Sequence, residues 1–264
     1  MTDFALRDRV ALITGGSRGI GRATALLLAR HGVHVALCGR TPETLAATSE
    51  EIRALGVSAW PFVADVSRLQ DIQRFVRDAA DAAGRVDILV NNAVTSLSAP
   101  FEEQTDEHWQ HHIDVKLMAY IRCIREVEPH LRAGGWGRIV NIGGMTARIV
   151  APLRVTNGIV NAGVANLTKQ MASQLARHGT TINCVHPGST VTERLRAGFE
   201  RRARDAGVSY EEIVAESVAD IPLGRLIEPG DIASAVLWFC SPLADMVTGQ
   251  SIAVDGGSAA SVNY

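Results

Sequence analysis

The sequence predicts an α/β fold, a three-layer doubly wound parallel sheet of the Rossmann type, as a single domain over residues 1–264. Two observations predict this class. Short apolar segments alternate with longer segments rich in helix formers along the whole chain, and a glycine-rich turn joins the first strand to the first helix. No linker, low-complexity tract or internal repeat divides the 264 residues. One domain is therefore favoured, although the length would also allow two.

The glycine-rich turn occupies residues 14–21, between a strand predicted at 10–13 and a helix predicted at 22–30. Glycines allow a tight turn and a close approach of the backbone, and the following helix start presents unpaired N–H groups and a partial positive charge. The turn is therefore predicted to hold the pyrophosphate of a dinucleotide. Its candidate cofactor contacts are Gly15, Ser17, Arg18, Gly19, Ile20 and Gly21.

The end of the second predicted strand, 33–38, bears on the choice of cofactor. NAD-selective sites usually have an Asp or Glu about 20 residues after the glycine turn, where it binds the ribose 2′-OH. Here that place holds Gly39, and Arg40 follows it. The side chains of Arg40 and Arg18 suit a 2′-phosphate, so the sequence predicts NADP(H) in preference to NAD(H). The alternative is that Arg40 only faces solvent.

The remaining elements continue the alternation of strands and helices. Further strands are predicted at 59–63, 86–90, 138–142, 181–185 and 251–254. The predicted helices are one opened by Thr41-Pro42, one capped by Ser67 and ending at 84, one capped by Thr105 and ending near 131, one at 156–178, a charged helical segment at 191–219, and one beginning at Pro229.

Composition excludes several classes of function. The hydrophobic fraction of 47% and the charged fraction of 20% are ordinary for a soluble globular protein. A net charge of -2 gives no reason to expect nucleic acid or a membrane as partner, and no apolar run approaches the ~20 residues that span a bilayer. The charged N-terminus does not resemble a signal peptide, and the four cysteines form no CxxC pair. We expect a cytoplasmic protein with reduced, buried thiols and no metal site.

Several motifs, in order over nearly the whole chain, resemble those of the short-chain dehydrogenase/reductase family. The glycine turn matches TGxxxGxG, the segment 91–94 is similar to NNAG with Val94 in place of glycine, and 183–192 resembles N-x-V-x-P-G-x-x-x-T. Segments 222–225 and 248–257 resemble the C-terminal landmarks of the family. The further cofactor contacts that this resemblance implies are Asp65, Val66, Asn92, Ala93, Pro187, Gly188 and Thr192.

The resemblance also implies a small-molecule substrate, a substrate-side lid at 189–225, and a homodimer or homotetramer paired through the long helices at 106–131 and 156–178. Five arginines in the lid attract an anionic substrate, such as an acyl thioester carrying phosphates, or form a solvated face with interleaved acidic residues. These arginines are Arg194, Arg196, Arg201, Arg202 and Arg204.

The catalytic tetrad that the resemblance implies is substituted at all four positions. In the family, a tyrosine exchanges the substrate proton, a lysine four residues later lowers the pKa of that tyrosine and holds the ribose, a serine binds the substrate oxygen, and an asparagine holds a water. Those positions hold Asn157, Asn161, Gly144 and Lys116 here. Asparagine cannot release a proton at neutral pH, and glycine has no side-chain donor. Carbonyl reduction by the family mechanism is therefore expected to be very slow.

Lys116 is the only candidate for an active role among these four residues. Its amine is expected either to reach the ribose or the substrate, in part replacing the missing lysine, or to extend into solvent. Three functions stay open. They are an atypical NADP(H)-dependent oxidoreductase that uses Lys116 and a water, a lyase, hydrolase or isomerase on the same fold, and a non-catalytic NADP(H)-binding subunit.

Several other polar residues are weaker candidates. His108 and His112 lie four apart on one helix face but have no acidic or cysteine partner nearby, so both are expected to be solvated rather than metal ligands. His186 is expected to be a structural hydrogen-bond partner rather than a base. The residues expected to line the substrate side are Thr146, Arg148, Arg154, Thr156, Ser189 and Thr190.

Overall fold

A computed structural model describes residues 4–260, so the two ends of the predicted domain, 1–3 and 261–264, lie outside the described residues. The predicted fold class is confirmed: seven parallel strands form one sheet in the order β3-β2-β1-β4-β5-β6-β7. The strands are β1 Val10–Thr14, β2 His34–Gly39, β3 Ala59–Val63, β4 Ile88–Asn91, β5 Gly137–Ile142, β6 Thr180–Pro187 and β7 Ser251–Val254.

Helices cover both faces of the sheet. They are α1 Gly19–Arg30, α2 Pro42–Arg53, α3 Leu69–Ala83, α4 Asp106–His112, α5 Ala119–Gly134, α6 Val155–Ala176, α7 Glu193–Ala206, α8 Tyr210–Ala219 and α9 Pro229–Cys240. One apolar core joins α3, α5 and α6 to the sheet, and a second joins α1, α2 and α9 to its other face. Because both faces are covered, the central strands are buried throughout, as the continuous apolar segments predicted.

One predicted helix start differs from the structure. Ser67 does not cap α3, because its backbone N–H and its hydroxyl both donate to Asp65 Oδ1 and the helix begins only at Leu69. Thr41 is the N-cap residue of α2 and Pro42 its first helical residue, as predicted, although the Thr41 side chain makes no capping hydrogen bond. Thr105 caps α4 as predicted, by accepting from the His108 N–H.

The long helix predicted between Thr105 and residue 131 is interrupted. A π-helical turn, Ile113–Met118, separates α4 from α5. Such turns are rare and are found frequently at functional sites. Lys116 lies inside this turn, so its direction depends on an irregular piece of backbone.

The predicted lid folds as a small unit of its own. Its helical segment divides into α7 and α8 at Gly207, which has a left-handed φ of 68°, and Ser209 begins α8 with a capping box. Phe199, Ala203 and Ile213 form a separate small apolar cluster between the two helices.

The sheet order places four connecting segments side by side. The glycine turn after β1, residues 92–100 after β4, 143–154 after β5 and 188–192 after β6 all leave the carboxyl edge of the sheet. The strand order reverses between β1 and β4, and ligands of open α/β sheets bind at such a point. Among residues 4–260, no helix combines the length and apolar character that crossing a membrane requires.

Candidate active site

The glycine turn forms a cradle that side chains would fill. Gly15 and Gly19 have φ values of 62° and 50°, which favour glycine, and a Cβ at Gly21 would overlap the Gly15 carbonyl oxygen. Asn92 Nδ2 donates to the carbonyl oxygens of Thr14 (2.9 Å) and Gly15 (3.0 Å), which fixes the turn against the end of β4. The backbone of the turn is thus held in place and open to a close ligand.

The start of α1 is available to an anion. Its N-cap residue, Arg18, makes no side-chain capping hydrogen bond, and no acidic residue lies in the first turn. The unpaired N–H groups and the helix dipole at such a terminus attract phosphate. The cradle and this helix end together have the geometry that suits the pyrophosphate of a dinucleotide.

The adenosine end of the cradle carries both signs of charge. Burial opposes ionisation of Asp65, but the hydrogen bonds from Ser67 and the charge of Arg40 outweigh it and lower the pKa of that carboxyl group. Arg40 itself is exposed at the end of β2. Arg18 contacts Glu193 at 3.4 Å, with 54% and 76% of the two side chains exposed, so this pair contributes little stability.

The end of β6 closes the other side of the cradle. A Cβ at Gly188 would lie 2.8 Å from Asp255 Cα, so the chain has room only for glycine there. Thr192 caps α7 by accepting from the Leu195 N–H at 3.3 Å, and its methyl group lies against Gly19. The structure thus brings residues after β1 and β6 together, as the predicted contacts require.

Asn157 and Asn161 are buried one helical turn apart on α6, with 7% and 5% of their surface exposed. Asn157 Nδ2 donates to Ser96 Oγ at 3.1 Å, and Asn161 Nδ2 donates to Thr146 Oγ1 at 2.9 Å. Neither Oδ1 atom has a hydrogen-bond partner within the described chain. The pair therefore presents two fixed, unused acceptors beside the segments that follow β4 and β5.

Gly144 follows β5 in extended backbone, with a φ of 178°. A Cβ at this position would lie 2.6 Å from Asn161 Nδ2, so a serine there requires the Asn161 side chain to move. His186 Nδ1 lies 3.0 Å from both the N and the O atom of Gly144. Burial lowers the pKa of His186 to about 4, so the ring is neutral and acts as the structural partner that was expected.

Lys116 is 3% exposed, which contradicts the solvent-facing alternative. Its Nζ donates to the Gly143 carbonyl oxygen at 2.8 Å and lies 5.9 Å from the centre of the Tyr120 ring. Burial, together with the charge of Arg194, lowers the pKa of the Lys116 amine to about 7, although the nearby Cys184 opposes the shift. The amine is therefore close to half protonated at neutral pH.

His112 corrects another expectation. It is 2% exposed rather than solvated, and its Nδ1 lies 3.0 Å from Thr156 Oγ1 at the start of α6. Burial and the charge of Lys116 lower the pKa of His112 to about 4. His108 is exposed, as expected. Within residues 4–260, no three His, Cys, Asp or Glu side chains are grouped to hold a metal ion.

Sequence reasoning missed one residue of the site, Ser96, and left the burial of Lys116 open between two alternatives. Ser96, whose hydroxyl accepts from Asn157, lies in the irregular segment after β4. That segment has no helical or strand periodicity from which the direction of the Ser96 side chain could be predicted. The burial of Lys116 had a signal, because it lies at helical spacing from Ala119, Cys123 and Val127, all on the buried stripe of α5.

Known proteins resemble the chain over nearly its full length. A family model described as Enoyl-(Acyl carrier protein) reductase matches residues 15–259. The short chain dehydrogenase/reductase astE of Aspergillus oryzae is 35% identical over 259 residues, 96% of each chain. The 3-oxoacyl-[acyl-carrier-protein] reductase FabG of Staphylococcus epidermidis is 32% identical over 251 residues, 95% of this chain and 98% of that protein.

A solved structure extends the match to the fold. L-sorbose reductase from Gluconobacter frateurii, complexed with NADPH and L-sorbose, superposes with a TM-score of 0.95 at 27% identity, covering 99% of this chain and 100% of the other. The sheet order, the glycine cradle and the family-model match therefore agree: this chain belongs to the short-chain dehydrogenase/reductase family of oxidoreductases.

Proposed function

We propose that this chain binds NADP(H) in preference to NAD(H) and transfers hydride without a tyrosine–lysine proton donor. The observation that carries the proposal is the open glycine cradle with Arg40, and no carboxylate, at the end of β2. The L-sorbose reductase structure contains NADPH, which supports the same cofactor here.

The residues that would hold the cofactor lie along the carboxyl edge of the sheet. The glycine turn and the start of α1 bind the pyrophosphate, Arg18 and Arg40 bind the 2′-phosphate, and Asp65 and Val66 contact the adenine. Asn92, Ala93, Pro187, Gly188 and Thr192 line the nicotinamide side. The Oδ1 of Asn161, which has no partner among the described residues, would accept from a ribose hydroxyl of the bound cofactor. When bound, the cofactor supplies the hydride.

Lys116 acts as a positioning residue in this proposal. Its amine holds the Gly143 carbonyl and so fixes the segment after β5, which lies against Asn161. Because its pKa is about 7, the same amine exchanges a proton with a water at neutral pH.

Ketones should be poor substrates. A positioned general acid contributes about 10²–10⁴ in rate, and an oxyanion donor contributes about 10²–10³. Asn157 and Gly144 supply neither a releasable proton nor a serine hydroxyl. The expected chemistry is therefore hydride transfer to an acceptor that needs little help from an acid.

Cofactor choice is tested by fluorescence titration with NADPH and NADH. Wild type should bind NADPH at least tenfold more tightly, and Arg40→Ala should remove most of that difference by losing a charge-assisted contact worth about 1.5–3 kcal/mol. Arg30→Ala, an exposed arginine at the far end of α1, is the matched control. Equal affinity for both cofactors in wild type would contradict the proposal.

The catalytic part is tested by restoring the family residues. The fourfold variant Lys116→Asn, Gly144→Ser, Asn157→Tyr and Asn161→Lys should reduce ketones with NADPH at least 100-fold faster than wild type. Brisk ketone reduction by wild type, unchanged in this variant, would refute the role of these positions.

A second function fits the same observations. Since Gly144 and Asn157 cannot supply a proton, the chain also fits a non-catalytic NADP(H)-binding subunit. Tight NADPH binding with no turnover of any carbonyl or imine, and co-purification with an active relative, would favour that function.

We also propose that residues 189–225 form a lid over the substrate side. The α7–α8 unit has its own apolar cluster, and its first residues contact the glycine turn through Thr192 and Glu193. Limited proteolysis tests this, because NADPH should slow cleavage within 189–225 while leaving cleavage elsewhere unchanged. Equal cleavage with and without NADPH would reject the lid.

A further inference from the structure

The hydrogen-bonding state of Asn157 indicates the kind of ligand the site accepts. Its amide N–H is used by Ser96, while its Oδ1 is buried and without a partner within residues 4–260. Buried polar atoms are almost always hydrogen-bonded, and an acceptor left unpaired destabilises the fold. The unpaired Oδ1 is therefore suited to a ligand that brings a hydrogen-bond donor.

Asn161 has the same state one turn further along α6, since Thr146 uses its amide and leaves its Oδ1 unpaired. The proposed NADP(H) function gives that acceptor a donor, namely a ribose hydroxyl. Asn157 lies where the family places the residue that faces the reacting atom of the substrate. A substrate that brings a hydrogen-bond donor would satisfy this acceptor.

A ketone does not supply that donor, because its oxygen is itself an acceptor. A protonated imine does, because its nitrogen carries N–H, and it also arrives with the proton that a ketone would have to take from a general acid. Resting on the proposed NADP(H) function, we propose that the substrate is a protonated imine whose N–H donates to Asn157 Oδ1.

The reaction balances without a proton from the protein. Hydride from the reduced cofactor adds to the imine carbon, the C=N π pair becomes the lone pair of the nitrogen, and a neutral amine forms. The amine then takes a proton from water. No group at position 144 or 157 has to ionise, which agrees with the residues found there.

The charges around the site restrict which imines fit. Burial and the charge of Arg154, the N-cap residue of α6, lower the pKa of Arg194, and neither arginine forms an ion pair with a carboxylate among the described residues. His112 is neutral and Lys116 is partly neutral at pH 7. Because the two arginines oppose a bare cation, an imine that carries a carboxylate should bind best.

The opposite rotation of the Asn157 amide makes the opposite prediction. Ser96 would then donate to Oδ1, and the free Nδ2 would present a donor to a carbonyl oxygen. A ligand pair that differs only in its donor separates the two cases.

Binding tests the inference without turnover. Calorimetry compares 2-methylpyrrolidine, which is protonated at neutral pH, with 2-methyltetrahydrofuran, which has the same ring and no N–H. The amine should bind about tenfold to 100-fold more tightly. Asn157→Asp should strengthen and Asn157→Leu should abolish the preference, whereas Asn166→Leu, at an exposed position of the same helix, should leave it unchanged.

Turnover gives the second readout. NADPH consumption is followed with 2-methyl-1-pyrroline, 1-pyrroline-2-carboxylate and cyclopentanone. Both imines should be reduced at least 100-fold faster than the ketone, and the carboxylate should lower KM. The inference would be overturned if the protein binds NADPH but prefers neither the imines over cyclopentanone nor 2-methylpyrrolidine over 2-methyltetrahydrofuran. The proposed function would then still stand. Absence of NADPH binding would overturn the proposed function, and equal affinity for the two ring compounds would overturn the role of Asn157 by itself.

Discussion

Replacing Lys116 by methionine should change the stability of the protein in a pH-dependent way. Burial of the amine lowers its pKa from 10.5 to about 7 in the folded state, whereas the unfolded chain keeps the ordinary value. Between these two pH values the unfolded state binds more protons, so wild-type stability rises with pH across this window. The native state is least favoured below pH 7, where it must bury an ammonium group.

The magnitude follows from the size of the shift. At about 1.4 kcal/mol per pKa unit, the full penalty below pH 7 is about 5 kcal/mol, and about 2.5 kcal/mol of it is relieved between pH 6 and pH 9. Methionine removes the charge and gives up one hydrogen bond to the Gly143 carbonyl, worth about 1 kcal/mol. Lys116→Met should therefore be more stable than wild type at pH 6, and its advantage should shrink by about 2.5 kcal/mol by pH 9.

Urea unfolding of both proteins at pH 6, 7, 8 and 9 measures this difference. His112, His186 and Cys184 are present in both proteins, so the contributions of these buried groups to the pH dependence largely cancel in the difference. The sequence has only two lysines, and the exposed Lys169 provides the control variant, Lys169→Met. Because only two lysine signals are expected, lysine-selective NMR can follow the Lys116 amine directly as the pH changes. A stability difference that is constant from pH 6 to pH 9 would refute the reasoning.

Three further changes test the cradle, the assembly and the segment after β5. Gly21→Ala should abolish NADPH binding, because the added Cβ overlaps a carbonyl oxygen of the turn. Gly198→Ala is the control, because there is open space around this position in α7. It should bind NADPH normally and raise the free energy of unfolding in urea by about 1 kcal/mol. Ile159→Asp, at a 57% exposed position of α6, should convert the predicted dimer or tetramer to monomer by sedimentation; a monomeric wild type would contradict this. Gly144→Ser should cost about 1–3 kcal/mol in thermal unfolding, and Asn161→Ala in the same chain should recover most of it; additive effects would argue against the clash.

The sequence predicted the sheet well, because continuous apolar strands and the glycine turn are local signals. β3 and β7 have the predicted bounds, and the other strands differ by one or two residues at their ends. The interruption of the helix after Thr105 was not predictable from periodicity. A π turn depends on packing against the rest of the chain, and the residues in it are compatible with an ordinary helix.

The sequence singled out positions for the candidate site but did not predict the contacts that the structure gives them. The positions 116, 144, 157 and 161 were singled out by resemblance, and the structure brings Lys116 and Asn161 to the same Gly143–Gly144 backbone. Ser96 and Thr146 became partners of the two asparagines only through the sheet order, because the segments after β4 and β5 are neighbours in space and not in sequence. The burial of His112 follows the helical period, which outweighed its polar character.

Lys116, Gly144 and Asn161, three of the positions singled out by the resemblance, are coupled in the structure rather than independent. A Cβ at Gly144 would lie 2.6 Å from the amide of Asn161, so a larger residue there needs Asn161 to move. A lysine at position 161 would bring a second ammonium to the dipeptide that already binds the Lys116 amine. A serine at 144 and a lysine at 161 are thus both disfavoured while their neighbours keep their present identity. Single reversions should therefore destabilise the site without restoring ketone reduction, and only a change that replaces Lys116 together with the other three can recover it.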